Sequence, residues 1–445
     1  MTATERREAF RQPLSASARL HEHARKVMPG GNTRTTVHMD PYPAYANRGR
    51  GAVVVDAEGE ERLDFLNNYT SLIHGHADPD VSAAVIEQLQ LGTAFGMPTP
   101  HEVALAELIV DRIPSVEHIR FTNSGTEAVM SAIQAARAYT SKPKIMKFEG
   151  SYHGSYDYAG VSTLAPESVW EQPLPPSTAY YHGSPQGMLD DVVVSRYNDI
   201  DLTGQLIESH KSDLAAVLID PMPFRMGLIP GQVAFLEQLR DMTRSLGIVL
   251  IFDEVISLRA AYGGFQSVVG VTPDMTTMAK IIGGGFPVGA VGGREEIMAV
   301  FDPRGGAPKV PHGGTFSANP MTMVAGLTAM RKMDQAAFDR LDALGNYLRE
   351  GLAEAMDGAR LEGQVTGHGS LFGIHMHARP LSDYRSSHGR PAERARGSAT
   401  FNGMLAHGVI VSPALTGCLS TPMTEADANT LIDAFAAGLR ESETA

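Results

Sequence analysis

Two reactive side chains stand at the ends of successive apolar runs. Ile248-Val249-Leu250-Ile251-Phe252 reads as a buried strand and ends on Asp253-Glu254-Val255. Further on, Met278-Ala279 leads into Lys280, which is followed by Ile281-Ile282 and the three glycines Gly283, Gly284 and Gly285. An acid at one strand's carboxyl end and a lysine at the next share a crevice in an open α/β sheet, where ligands bind. A lone lysine is ordinarily a surface charge, but the neighbours of Lys280 are apolar or glycine and favour burial. Burial lowers an amine's pKa and makes it a nucleophile suited to Schiff-base chemistry.

Other stretches supply what such a centre needs around it. Ile119-Arg120-Phe121-Thr122 reads as a short strand that runs into Asn123-Ser124-Gly125-Thr126-Glu127 and then small, helix-compatible residues from Ala128 to Tyr139. A strand, a polar turn and a helix start present free N–H groups and the positive end of a helix dipole to an anion such as phosphate. The competing reading is an N-cap without a ligand. The turn lacks the Gly-Lys-Ser/Thr ending of a Walker loop. Lys144-Ile145-Met146-Lys147-Phe148 is another strand, ending at Glu149-Gly150-Ser151-Tyr152-His153-Gly154. An aromatic there either stacks on a flat ring or simply packs. Arg34, in Asn32-Thr33-Arg34-Thr35-Thr36, reads equally as a solvated loop charge and as a planar fork for a carboxylate. His74-Gly75-His76 has no third ligand nearby, so packing or a loop is expected rather than a metal.

The elements that must position these residues alternate strand and helix. Leu214 to Ile219 is a buried strand, a helix runs from Val233 to Leu246, and the Asp253 strand follows. This alternation predicts a parallel sheet with helices on both faces. Ser15 to Met28 has helical spacing, and Val53-Val54-Val55-Asp56 with Arg62-Leu63-Asp64-Phe65 forms a hairpin. Val161 to Pro185 reads as a long loop over the site. Val288 to Gly293 is a glycine-rich strand, and helices are expected over Met321–Met333, Leu341–Met356 and Thr424–Leu439. Arg379 to Arg396, rich in arginine, proline and serine, reads as a solvated loop or lid.

A length of 445 residues allows two or three domains, or one large domain with a smaller one attached. The 43% hydrophobic and 20% charged content is that of a globular enzyme. A net charge of −13 argues against nucleic acid or an anionic membrane surface as the main partner. The single cysteine, Cys418, cannot close an intrachain disulfide, which fits a reducing cytoplasm; it reads as a small buried residue. The first residues lack the apolar core of a signal peptide.

Taken in order, NSGTEA, SYHG, FDEV and AKIIGGG, together with MPGGNTR, GVTPDMTTMAKIIGGGFPVGA and GTFSANPMTMVAG, resemble the class III aminotransferases of pyridoxal-phosphate fold type I. The resemblance runs from about Met28 to Ala426 and is nearest to the branch of glutamate-1-semialdehyde aminomutase and β-phenylalanine aminotransferase. It implies an α/β large domain with a mainly parallel central sheet over residues 66–325. A smaller α+β domain would be formed by both termini, 1–65 and 326–445. It implies pyridoxal 5'-phosphate as cofactor, with Lys280 carrying it as a Schiff base and then serving as the proton-moving base. Asp253 would pair with the ring nitrogen, Val255 would pack under the ring and Tyr152 would stack above it. Ser124, Gly125 and Thr126 would hold the phosphate. Thr315 would reach the phosphate of a partner subunit, so a homodimer with shared sites is implied. His153 and Glu127 would have supporting roles.

The implied reaction is a ping-pong transfer from a β-amino acid or amine donor to a keto-acid acceptor, with the donor carboxylate on Arg34. The alternative is an aminomutase. Three departures from the family pattern stand out, and the third bears on the choice. Asp220 stands where glutamate is frequent, and Pro223 has no donor for the cofactor's phenolic oxygen. The stretch Val411-Ser412-Pro413-Ala414-Leu415 also has alanine where the β-amino-acid enzymes place a second carboxylate-binding arginine. Arg259 is the nearest substitute, or else a structural ion pair.

Overall fold

The computed structural model describes residue 5 and residues 7–442. After the helix Ala16–Ala24, which Ser15 caps by accepting from the Ala18 amide, three strands form a meander: β1 (Ala46–Arg50), β2 (Val53–Asp56) and β3 (Glu61–Asp64). The β2–β3 hairpin is the expected one. β1 is additional, and its polar sequence ANRGR hid it.

The central sheet contains β4 (His118–Thr122), β5 (Lys144–Phe148), β6 (Val192–Ser195), β7 (Leu214–Ile219), β8 (Val249–Asp253), β9 (Met275–Ala279) and β10 (Gly289–Gly293). Their spatial order is β4-β10-β9-β8-β7-β5-β6. The pairs from β9 through β6 are parallel, and β10 runs antiparallel to both its neighbours. Alternate residues of β7 and β8 feed two cores. Ala216, Leu218, Val249 and Ile251 meet Ile133 of the helix Gly125–Thr140. Val217, Ile219, Leu250 and Phe252 meet Phe235, Leu236 and Leu239 of the helix Val233–Ser245. Burial on both faces explains why these strands are continuous apolar runs rather than alternating ones.

The remaining strands are β11 (Gln364–Thr366), β12 (Leu371–His375), β13 (Val409–Ile410) and β14 (Thr416–Cys418). β11, β12 and β14 form an antiparallel sheet. β13 pairs in parallel with β3, so the amino-terminal meander gains its fourth strand from near the other end of the chain. The helices Gln335–Gly358, Pro391–Ala406 and Glu425–Ser442 pack beside them. Two of these helices touch through backbone: a Cβ on Gly403 would lie 2.6 Å from Gly438 Cα.

The segment from Arg379 to Arg396 is not a solvated loop. It contains the short helix Tyr384–Ser387 and the first turns of Pro391–Ala406. Two of its arginines are spent on internal pairs. Arg379 grips both oxygens of Glu393 at 2.6 and 2.9 Å, and Arg385 grips both oxygens of Glu149 at 2.6 and 3.1 Å. Composition alone misled because paired arginines look identical to solvated ones in a sequence.

Candidate active site

Parallel strands deliver their carboxyl ends to one edge of the sheet, and the reactive residues emerge there. Phe252 of β8 pairs with Ile219 of β7, so Asp253 and Asp220 lie on adjacent strands, each just past that pair. Thr277 of β9 pairs with Asp253, and Lys280 follows three residues later. Lys280 has φ 52°, a left-handed conformation unusual for a residue with a side chain. Strain of this kind is found where the surroundings hold a functional side chain in place. Here the surroundings are tight. Gly326 of the helix Pro320–Lys332 lies against the Ile282 carbonyl, and a Cβ on Gly284 would strike the backbone of Ala325. Burial pulls the Lys280 amine below the usual lysine pKa, while Asp253 and then Asp220 pull it back up.

Asp253 is buried and held from three directions. His153 Nδ1 lies 2.7 Å from Oδ2, Thr277 donates to Oδ1 at 2.9 Å, and the Val255 amide donates to Oδ1 at 3.2 Å. An ionised carboxylate has about four acceptor positions, so one remains for a further N–H donor. Asp220, also buried, accepts from the Met222 amide at 2.9 Å. Burial, reinforced by Asp253, pushes Asp220 well above the carboxylate range.

The turn Ser124-Gly125-Thr126 joins the same cluster. Ser124 Oγ caps the helix Gly125–Thr140 by accepting from the Glu127 amide at 3.2 Å. The amides of Gly125 and Thr126, in the first turn, have no intrahelical acceptor to use. A Cβ at Gly125 would meet both Val255 methyls at 3.2 Å and Ala279 Cβ at 3.5 Å. The helix start therefore lies directly over Val255 and beside the residue preceding Lys280. Thr126 Oγ1 accepts from the Ser155 amide at 3.2 Å, which ties in the loop bearing Tyr152. Tyr152 is 44% exposed, so its ring has a free face. An anion cradle, a carboxylate with spare capacity, a strained amine and a free aromatic face fit pyridoxal phosphate.

Arg34 is exposed and donates to Asn68 Oδ1 at 2.9 Å, with its guanidinium 5.9 Å from the Tyr69 ring centroid. Asn68 and Tyr69 belong to a run, Asn67 to Thr70, in which all four residues have positive φ. Thr315 and the neighbouring Phe316 are exposed.

Arg259 is neither a spare carboxylate ligand nor half of an ion pair. It is fully buried and donates to Thr70 O at 2.6 Å, Ser370 Oγ at 3.0 Å, Cys418 Sγ at 3.1 Å and the Leu419 carbonyl. Every branch of its guanidinium is used, and together they tie the left-handed run, the residue before β12 and the end of β14 to one another. Cys418 is buried, as expected, and burial pushes its thiol up. His74 bonds Thr421 Oγ1 and Ala329 O, and His76 bonds Asp64. Among the described residues no group of three or more His, Cys, Asp or Glu could hold a metal, and no helix is long and apolar enough to cross a membrane.

Three contributors escaped sequence reasoning. Lys147, on β5, is fully buried and donates to Ser151 O, Ala159 O and Val161 O at 3.0, 2.6 and 2.6 Å. Its only signal was a lysine inside an apolar strand. Thr277 and the Glu149–Arg385 pair carried none, because their partners are distant in the chain.

The class-III aminotransferase family model matches residues 35–424. A glutamate-1-semialdehyde 2,1-aminomutase from Methanothermobacter thermautotrophicus is 38% identical over 90% of this chain and 93% of its own. The crystal structure of an omega-transaminase from Sphaerobacter thermophilus is 62% identical, with a TM-score of 0.96 over 98% of this chain and 99% of that one. A β-phenylalanine aminotransferase from Variovorax paradoxus is 34% identical, with a TM-score of 0.87 over 98% and 96%. The sheet of fold type I, the strand-end cluster and a match across most of the chain lead to one conclusion: the protein belongs to the class III aminotransferases and is a pyridoxal-phosphate enzyme.

Proposed function

We propose that the protein moves an amino group from a β-amino acid or amine donor to a keto acid by a ping-pong mechanism, as a cytoplasmic homodimer. The observation that supports this reading is the contact of Gly125 with Val255 and Ala279, which sets the helix start against the residues next to Asp253 and Lys280 at one edge of the sheet. Bound there, the cofactor supplies an electron-withdrawing ring that takes up the electrons of a carbanion. The chain's own residues do the rest. Ser124, Gly125 and Thr126 bind the phosphate, Val255 supports the ring and Tyr152 covers it. Asp253 accepts from the ring nitrogen. Lys280 would anchor the cofactor, and once the donor amine has displaced it, its amine, biased by burial toward the neutral form, would take the proton from the donor carbon and hand it to the cofactor carbon that had carried the lysine. Arg34 receives the donor's carboxylate. Thr315, exposed on its own subunit, contributes to the phosphate site of the second copy.

A specific observation keeps the aminomutase reading in view. A mutase retains its one substrate and needs no second carboxylate ligand, and Ala414 supplies none. The identity of 62% to a protein described as an omega-transaminase favours the transferase. A donor and acceptor panel separates them. The transferase bleaches its cofactor absorbance with donor alone and recovers it with an external keto acid. Isomerisation of a single substrate with no response to any external acceptor would replace the proposal with the mutase.

A further inference from the structure

Between Asp220 and Ile229 the chain is tied down at almost every residue. Pro223 O accepts from the amides of Met226 and Leu228 at 3.1 and 3.0 Å, and the Gly227 carbonyl receives the Thr366 hydroxyl. In this span the one exposed residue, among those described, is Arg225. It lies in the 3-10 turn Phe224–Met226, only five residues past Asp220, and that turn packs against the helix Tyr384–Ser387.

Its surroundings place Arg225 beside the loop that carries Tyr152. Tyr384 of that helix lies against Gly150, two residues before Tyr152. The charge of Arg225 reaches both Tyr384 and Lys147: it draws the phenol down against the upward push of burial, and it adds to burial in lowering the Lys147 amine. Yet no acid among the described residues pairs with it. Glu149, the buried acid at the end of β5, is taken by Arg385. Glu167 is taken by His388 and Arg394, and Asp383 caps its helix through the Ser386 amide. Asp220 is biased toward its neutral form. A guanidinium on rigid backbone, with no protein partner, in a chain of net charge −13, is free for an anionic ligand. Neither Ala414 nor the fully occupied Arg259 can serve that ligand.

We propose that Arg225 binds the carboxylate of the oxo-acid acceptor and so takes the place of the missing second arginine. This rests on the transaminase reading above and adds the residue that selects the acceptor. A carboxylate on Arg34 and one on Arg225 are met by different elements, so donor and acceptor specificity are separable.

The test compares the holoenzyme with Arg225→Met and Arg225→Lys. Because Arg225 has no protein bonds to lose, both variants should keep the wild-type melting temperature. With pyruvate as acceptor, Arg225→Met should raise KM by at least about 10-fold, as expected for loss of a charge-assisted hydrogen bond, and Arg225→Lys should fall between. Donor-driven bleaching by 1-phenylethylamine and turnover with a carboxylate-free aldehyde acceptor should not change. Calorimetric binding of propionate, an unreactive carboxylate, should weaken in step. An unchanged pyruvate KM, or equal losses with pyruvate and the aldehyde, would overturn the assignment alone. A wild-type enzyme that bleaches with donor but recovers with no oxo acid would overturn the transaminase reading and this assignment with it.

Discussion

His153 Nδ1 sits 2.7 Å from Asp253 Oδ2, both side chains buried at the end of the central sheet. Burial lowers the histidine pKa more than Asp253 raises it, so the neutral ring donates through Nδ1–H and orients the carboxylate. Substituting His153→Leu removes that donor while keeping the bulk. The donor half-reaction should slow by about 10-fold or more, the value of a hydrogen bond to a charged group. His153→Asn, which keeps an N–H at similar reach, should recover part of the rate. Stopped-flow bleaching measures both, and equal rates in all three proteins would mean that Asp253 needs no such support.

Lys147 secures the loop that carries Tyr152 and His153 by donating to the carbonyls of Ser151, Ala159 and Val161. Burial lowers its pKa from 10.5 to about 7. A depressed lysine contributes stability that is complete above its unfolded pKa and is lost as pH falls through the folded value. The stability of wild type relative to Lys147→Met should therefore grow between about pH 7 and 10.5. Urea midpoints at fixed protein concentration test this. A difference that stays flat across that window would show that Lys147 does not titrate there.

Arg259 and Thr70 illustrate how a fully used guanidinium supports the site from behind. The four left-handed residues Asn67 to Thr70 are intrinsically costly, and Arg259 holds the last carbonyl of the run. Arg259→Met would leave several buried acceptors unpaired and should destabilise the fold on the order of 3 kcal/mol. Because Asn68 and Tyr69 meet Arg34, the KM of a carboxylate-bearing donor should rise as well. Thermal melts and donor KM values check the two parts separately.

Arg34 itself gives a cleaner specificity readout. Arg34→Ala should raise the KM of a β-amino acid about 10- to 100-fold, the range for losing a charge-assisted pair, and leave a carboxylate-free amine unaffected. Equal effects on both donors would remove Arg34 from carboxylate recognition.

Local order made much of this site legible. Asp253, Lys280 and the Ser124 turn stand at strand ends, and strand ends are announced by apolar runs that stop. The two-sided burial of β7 and β8 made those runs unmistakable. What depended on partners far along the chain was hidden. Arg385 looks like any other residue of a polar stretch until Glu149, 236 positions away, is placed beside it. Arg259 looks like a spare cation until Thr70 and Leu419 surround it. β1 lacks alternation because its residues are mostly exposed, so periodicity had nothing to report.

Lys280 and Lys147 are both buried amines with lowered pKa values, and both feel the charge of Asp253, so chemistry must distinguish them. Borohydride reduction of the cofactor-loaded enzyme, followed by peptide mass spectrometry, does so directly. The pyridoxyl adduct should map to Lys280 and be absent from Lys280→Ala. An adduct on Lys147 or another amine, or full turnover by Lys280→Ala, would contradict the site described.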